Sequence, residues 1–225
     1  MERVGLGRCK CVRLLAAILL TLMIIPALSG CKGTMNFSDA DMDVYEKIHK
    51  RYNEMESYSA QVRLTVKSNK TEKTYLIRQY AKEPGKYRTE ILEPESMKGL
   101  VTVQNGESVK LTKPDTDKVI TAPAEEELDY TFVNNFFKLY YKSEETAIDV
   151  VAGADGGASG TTLLETELMP AEAHRKKATM LIDNKSLKPK NITVYDMGGN
   201  INMIAEFSDF VYNDNCKDEI FRIEG

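Results

Sequence analysis

The stretch SAQVRLTVK, residues 59–67, decides the fold class because its apolar side chains recur at every second position. Ala60, Val62, Leu64 and Val66 alternate with polar or charged residues. Successive side chains of a β-strand point to opposite faces of the sheet, so this pattern predicts a strand with one buried and one wet face.

Further segments with a strand-like pattern follow residues 59–67, and turn residues separate them. The strongest turn signal is Asn105-Gly106, which lies between two alternating runs and predicts a tight hairpin. The predicted strands of this half are 59–67, 73–82, 86–92, 99–104, 108–112 and 118–122. The sequence therefore predicts an antiparallel meander.

A helix is predicted before the meander and another after it. Tyr45, Ile48, Tyr52 and Met55 recur at helical spacing, which predicts a helix with one face packed on the sheet. The segment LDYTFVNNFFKLYY, residues 128–141, repeats aromatic residues at helical spacing. We expect Phe132, Phe136 and Tyr140 to pack on the concave face of the sheet or to form a lid there. Val133 and Phe137 lie on the neighbouring flank of this predicted helix.

Strand patterns resume after the glycine-rich loop 153–160. They are predicted at 161–168, 178–183, 190–196, 201–207 and 219–223. The result is an α+β fold with about 10–12 antiparallel strands and two helices. We expect residues 41–225 to form a single domain, because a chain of this size can bury one core.

The N-terminus has the features of a signal peptide. A basic start precedes the apolar run Leu14–Leu28, whose 15 residues are fewer than the ~20 needed to span a bilayer. The run ends in Leu28-Ser29-Gly30-Cys31, which resembles the bacterial lipobox, where the cysteine receives a diacylglycerol carrying palmitate-type chains. We expect residues 1–30 to be removed, acylated Cys31 to anchor the chain to the membrane, and residues 31–40 to form a tether; an uncleaved anchor is the alternative.

Charge and cysteine content exclude several classes of protein. Removal of residues 1–30 leaves 26 basic and 33 acidic side chains, a net charge of −7, so a nucleic-acid-binding protein is not expected. Cys216 would be the one free thiol left, and no intramolecular disulfide could form. We expect Cys216 to be a small apolar side chain or a quiet thiol; an intermolecular disulfide is the alternative.

The residues that catalysis needs are not arranged at recognisable spacings. His49 and His174 have no metal-ligating neighbour at a zinc spacing, and no G-x-S-x-G sequence is present. Glu125-Glu126-Glu127 is better explained as a favourable charge run near a helix N-terminus. We expect no enzyme activity, no catalytic residues, no metal and no cofactor.

Several motifs, in their order, resemble the LolA/LolB lipoprotein-carrier superfamily, which includes RseB-like sensors. They are SYSAQVRLTVKS (57–68), YLIRQYAKEPGKYRTEILEP (75–94), GLVTVQNGESVKLTKP (99–114), LIDNKSLKPKNITVYDMGGN (181–200) and FSDFVYND with EIFRI (207–214 and 219–223). The resemblance implies an incomplete antiparallel β-barrel wrapped on helices around an apolar cavity.

Within this superfamily, the arrangement looks most like the germination lipoproteins of spore-forming clostridia (GerS-type). Glu83 stands where the soluble carriers have a lid-latching arginine, tryptophan is absent, and Cys31 predicts an anchored chain. The resemblance implies an extracytoplasmic lipoprotein that binds and supports a cell-wall amidase acting on spore cortex. The alternative is a carrier or acceptor of lipoproteins or acyl chains that uses the apolar cavity. The oligomeric state, a homodimer included, stays open.

Overall fold

The computed structural model describes residues 39–222, apart from residues 69, 107, 114–115, 117, 124–136, 138–145, 152–159 and 173. It divides the chain into two units, residues 1–37 and 38–225, of which the first lies outside the described residues. All the structural elements below belong to the second unit.

The described elements are one α-helix, eleven strands and a short 3₁₀ helix. Helix α1 spans Asp39–Asn53, and the 3₁₀ helix spans Asp218–Phe221. The strands are β1 (Ser57–Lys67), β2 (Glu72–Lys82), β3 (Lys86–Glu93), β4 (Val101–Asn105), β5 (Ser108–Thr112), β6 (Val119–Pro123), β7 (Thr146–Val151), β8 (Thr161–Glu172), β9 (Arg175–Asp183), β10 (Pro189–Tyr195) and β11 (Ile201–Tyr212).

The strands form one antiparallel sheet in the order β6-β5-β4-β3-β2-β1-β11-β10-β9-β8-β7. Each half is a meander, and the two halves meet where β1 pairs with β11, the first strand with the last. Strands β6 and β7 are the two edges of this sheet. The sheet stays open, so the predicted fold class, an incomplete antiparallel β-barrel with helices, is confirmed.

Alternating burial explains why one face of the sheet holds the core. In β1, Val62 and Leu64 are fully buried, whereas Arg63 between them is exposed. We call the face that carries Val62 and Leu64 the inner face, and the opposite one the outer face. Strands β9, β10 and β11 add their own buried residues to the same core, among them Met180, Ile192 and Met203.

Helix α1 packs on this core through Val44, Ile48 and Tyr52, which follow one another at intervals of four residues. The predicted helix is confirmed, and so are Ile48 and Tyr52 as buried residues. Tyr45 is only half buried, because Val44 occupies the core position one residue earlier. Met55 lies beyond the end of the helix and is partly buried.

A bulge in β11 brings two phenylalanines to the same face. Phe207 and Phe210 are three residues apart and would lie on opposite faces of a regular strand. The β1–β11 register shifts between Ser59 and Gln61, and Asp209 opposite this point has a φ of 52°. The extra residue places both rings against the core, since a bulge re-aims the side chains that follow it.

The predicted strand 219–223 is wrong. Residues Asp218–Phe221 form the 3₁₀ helix instead, and residue 223 lies outside the described residues. Phe221 is buried on the outer face in a second cluster with Val101 and Val103. This contact packs the segment across the outer face, so the segment does not add a strand to the sheet.

Candidate functional site

Five aromatic side chains pack together on the inner face, and we call them the aromatic cluster: Tyr52, Tyr58, Phe137, Phe210 and Tyr212. Tyr58 stacks on Phe210 with ring centroids 5.1 Å apart. Phe137 meets Tyr58 edge to face at 5.2 Å and stacks on Tyr52 at 5.8 Å. These separations are typical of favourable aromatic pairs, so the cluster ties α1, β1 and β11 together.

Phe137 is the residue of the predicted aromatic helix that the structure describes. It is helical and only 4% exposed. The sequence pattern predicted Phe137 on the flank of the aromatic helix, whereas the structure places its ring in contact with Tyr52 and Tyr58 of the aromatic cluster. Phe132, Phe136 and Tyr140, predicted to face the sheet, lie outside the described residues.

A cavity of about 20 Å³ lies beside the aromatic cluster, where the α1–β1 connection meets the β2–β3 turn. Tyr58, Ala81, Glu83, Tyr87 and Phe137 are among the residues that line it. A water molecule needs about 10–15 Å³, whereas small-molecule pockets measure about 300–1,000 Å³. This cavity, as the described residues bound it, can therefore hold a water molecule and is too small for an acyl chain.

The tyrosines at this cavity are poor bases. Burial raises the pKa of Tyr58 well above its usual range, and Coulomb interactions with Tyr87 and Glu83 raise it further. Burial, and then the Glu83 carboxylate, also raises the pKa of Tyr87. Both phenols stay protonated at neutral pH, so these two tyrosines offer hydroxyl groups to the cavity rather than phenolate bases.

In the described part of the chain, no group of three or more His, Cys, Asp or Glu side chains could hold a metal ion. His49 lies on the exposed face of α1, 3.0 Å from the Asn53 side-chain nitrogen. His174 lies in the β8–β9 turn and is exposed. The two histidines of the sequence thus lie on different elements, the helix α1 and the β8–β9 turn.

The C-terminal segment is fastened to the outer face by ion pairs and an apolar contact. The Asp218 carboxylate accepts hydrogen bonds from Lys82 Nζ at 2.9 Å and from Lys86 Nζ at 3.1 Å. Cys216 is buried, and its Sγ lies 3.9 Å from the Tyr58 carbonyl oxygen. Burial, followed by the Asp214 charge, raises the pKa of the Cys216 thiol, so it behaves as the small apolar side chain that was predicted.

The two sheet edges are the places where the backbone could pair with another chain. Strand β6 is short, and its Ile120 is 65% exposed. Strand β7 was not delimited from the sequence; it pairs with β8 on one side and forms the other edge. Unpaired edges accept an added strand from a partner, so β6 and β7 are candidate binding elements.

Cys31, the predicted lipidation site, lies outside the described residues. Within residues 39–222, as far as they are described, no helix combines the length and the apolar character that a membrane span requires.

Comparison with solved structures finds two that share this fold at a TM-score of 0.50. A chain in the structure of the CwlD amidase from Clostridioides difficile in complex with the GerS lipoprotein is similar at 22% identity; the match covers 80% of this chain and 100% of that chain, with a TM-score of 0.50. An uncharacterised conserved protein from Thermus thermophilus is 15% identical over 81% of this chain and 93% of its own, also with a TM-score of 0.50. A LolA superfamily protein from Nitrosomonas europaea is 13% identical over 81% and 97% of the two chains, with a TM-score of 0.45.

No curated protein sequence matches the chain. A family model does: residues 12–221 match the model described as sporulation protein YdcC-like. The match extends from the apolar N-terminal segment to the end of the 3₁₀ helix, which is most of the chain. The chain therefore belongs to the sporulation protein YdcC-like family.

Proposed function

We propose that this protein is an extracytoplasmic lipoprotein, anchored through acylated Cys31, that acts by binding a cell-wall amidase rather than by catalysis. Membership of a sporulation family supports a role in spore formation or germination. GerS, a distant structural homologue, is found in a complex with the CwlD amidase, and we transfer that type of partner to this chain as a proposal.

The tight packing of the described residues beside α1 is the observation that carries the proposal. The aromatic cluster packs α1 on β1 and β11, and the cavity beside it measures only about 20 Å³. A packed core makes the sheet a rigid scaffold whose edges and outer face remain for contact with another protein. Tethering both partners to one membrane surface would raise their effective concentration, so a modest interface would suffice.

Carriage of a lipoprotein or an acyl chain is the second candidate, and the resemblance of the sequence motifs to the LolA/LolB superfamily is the observation that favours it. The two functions predict different bound material. A carrier should be purified with lipid inside it, whereas an amidase-binding protein should be purified with a protein.

The test is to capture the full-length tagged lipoprotein from detergent-solubilised membranes of sporulating cells. The eluate is divided, and one half is analysed by mass spectrometry for proteins and the other for extracted lipids. We expect a cell-wall amidase, enriched over a capture with an unrelated tagged lipoprotein. Stoichiometric lipid beyond the anchor, without an amidase, would reverse the order of the two candidates.

The anchor has its own test. Cys31→Ala should move the protein from the membrane fraction to the soluble fraction, or stop processing, because no sulfur remains to receive the diacylglycerol. Cys216→Ala is the matched control, since Cys216 is buried in the fold. Normal processing and lipid labelling of the Cys31→Ala protein would contradict the proposal.

A further inference from the structure

The segment that follows β11 crosses the outer face without joining the sheet, and we call its residues 214–222 the strap. Among the described residues, the strap forms no ladder with a strand, and its regular part is the 3₁₀ helix. Arg88 Nη1 donates to the Ile220 carbonyl at 3.2 Å, and Lys82 Nζ donates to the Cys216 carbonyl at 3.3 Å. Side chains of β2 and β3 therefore hold the strap by its backbone carbonyls.

The apolar contacts of the strap form a small core of their own. Cys216 and Phe221 are 6% and 2% exposed, and they cluster with Val101 and Val103 of β4. The main core of the described residues lies on the inner face and includes none of these four side chains. A break in the small core therefore leaves the packing of the main core in place.

The polar contacts of the strap are only half buried. The ion pairs of Asp218 with Lys82 and Lys86 join side chains that are between 33% and 48% exposed. Water screens ion pairs of this kind, so they contribute less than buried contacts do. Opening of the strap thus gives up the burial of a few side chains, whereas global unfolding gives up the whole main core as well.

Asn213 forms a fixed base for the strap. Its side chain bonds the Glu56 N–H at 2.9 Å and the Glu54 carbonyl at 3.2 Å, and its own N–H donates to the Ser57 carbonyl at 2.7 Å. These bonds tie Asn213 to the α1–β1 connection and to the start of β1. Residues at the end of an element commonly act as hinges, and Asn213 directly follows β11.

We propose that the strap opens about this base while the sheet stays folded. In the open form, Val101 and Val103 are exposed to solvent, and Lys82, Lys86 and Arg88 lose their partners on the strap. The outer face of β2–β4 then presents an apolar strip beside three basic side chains. The closed form hides this surface, so the strap controls whether it is available.

Cys216 can report the opening, because it is a free thiol that the closed strap buries. The full-length lipoprotein, purified in detergent, is treated with N-ethylmaleimide under native conditions at several low urea concentrations. Mass spectrometry of its peptides follows alkylation at Cys216 over time. The matched control is Ala178→Cys in a Cys216→Ala background, since Ala178 is 0% exposed in the main core.

We expect Cys216 to be alkylated at least about tenfold faster than position 178, and with a weaker dependence on urea, because a local opening exposes less surface than global unfolding. Ile192→Val, a change in the main core, should speed alkylation at position 178 and leave the rate at Cys216 unchanged. Phe221→Ala should speed alkylation at Cys216, since it weakens the small core.

Equal rates at the two positions, with the same dependence on urea, would mean that the strap opens only when the whole domain unfolds and would overturn the proposal. Acceleration of Cys216 alkylation by Ile192→Val, by the factor seen at position 178, would overturn it too. If Ala178→Cys does not fold, hydrogen exchange of the Val194 amide in the parent protein supplies the reference for the main core.

Discussion

At the scale of single residues, Asp218 links the C-terminal segment to the sheet through Lys82 and Lys86. Hydrogen bonds from these two lysines hold the pKa of Asp218 at about 2, against an ordinary value of 3.8. A lowered carboxyl pKa stabilises the folded state at any pH above the ordinary value, and this contribution disappears as the pH falls through about 2.

We therefore expect Asp218→Asn to lower the melting temperature at pH 7, and the difference from the parent protein to shrink below about pH 4. Melting curves recorded from pH 7 to pH 2 measure this directly. Glu219→Gln is the control, because Glu219 is the adjacent exposed acid and is expected to have little effect. A difference for Asp218→Asn that stays constant with pH would rule out the ion pairs as its cause.

Asn213 joins the end of β11 to the start of β1 while its backbone adopts a φ of 50°. Its Oδ1 accepts the Glu56 N–H at 2.9 Å, and its Nδ2 donates to the Glu54 carbonyl at 3.2 Å. Asparagine tolerates this left-handed conformation better than most residues, so both the backbone and the side chain explain its presence.

Asn213→Ala should reduce the free energy of unfolding by about 1–3 kcal/mol, since it removes the side-chain hydrogen bonds and strains the backbone. Asn213→Gly should cost less, because glycine adopts a positive φ freely. Denaturant titration of the two variants separates the effects. Equal losses for alanine and glycine would mean that backbone strain contributes nothing here.

At the scale of elements, Phe137 contributes a buried ring from the predicted aromatic helix to the core, where it packs on Tyr52 and Tyr58. Phe137→Ala should cost about 3–5 kcal/mol, which corresponds to a melting temperature lower by about 6–20 °C for a domain of this size. Phe137→Leu, which fills most of the volume, should cost clearly less.

Phe136→Ala tests the prediction that the Phe136 side of the aromatic helix faces the sheet. We expect its melting temperature to fall as well, because Phe136 was predicted to face the sheet. A protein that melts like the parent would place the Phe136 ring in solvent or in a lid. Phe137→Ala, measured in parallel, supplies the reference for a buried ring of the same helix.

At the scale of the whole molecule, Glu83 bears on the difference between a shuttle and an anchored binding protein. Its backbone N–H donates to the Glu56 carbonyl at 2.8 Å, and its Oε2 accepts the Gly85 N–H at 3.3 Å. The backbone contact joins the β2–β3 turn to the α1–β1 connection, and the side-chain contact is local to the turn. A carboxylate cannot supply the five donors of the arginine that latches the lid of soluble carriers.

Glu83→Arg should therefore leave amidase capture unchanged, because the visible contacts of this carboxylate are local to the turn. The measurement is the amount of amidase recovered with the variant relative to the parent, together with the lipid content of the eluate. Loss of the amidase, or a gain of bound lipid, would mean that position 83 takes part in function.

Much of the fold could be predicted from local patterns. Alternation in β1 and the Asn105-Gly106 turn, where Gly106 has a φ of 91°, are properties of adjacent residues and were confirmed. Burial of Ile48 and Tyr52 followed from helical spacing. Residues 219–223 have an equally regular strand pattern, yet the segment around Phe221 forms a 3₁₀ helix because Phe221 finds its apolar partners on strands far away in the sequence.

The sequence by itself determined most of the strands and turns, because each depends on residues close together in the chain, and for the same reason it predicts the anchor at Cys31. Only the tertiary structure decided which strands pair. The contact of β1 with β11 joins residues about 150 positions apart, and no local pattern encodes it. That pairing creates the bulge at Asp209, and with it the aromatic cluster. It also brings the β1–β2 and β10–β11 turns to one end of the sheet, a juxtaposition that only long-range pairing produces.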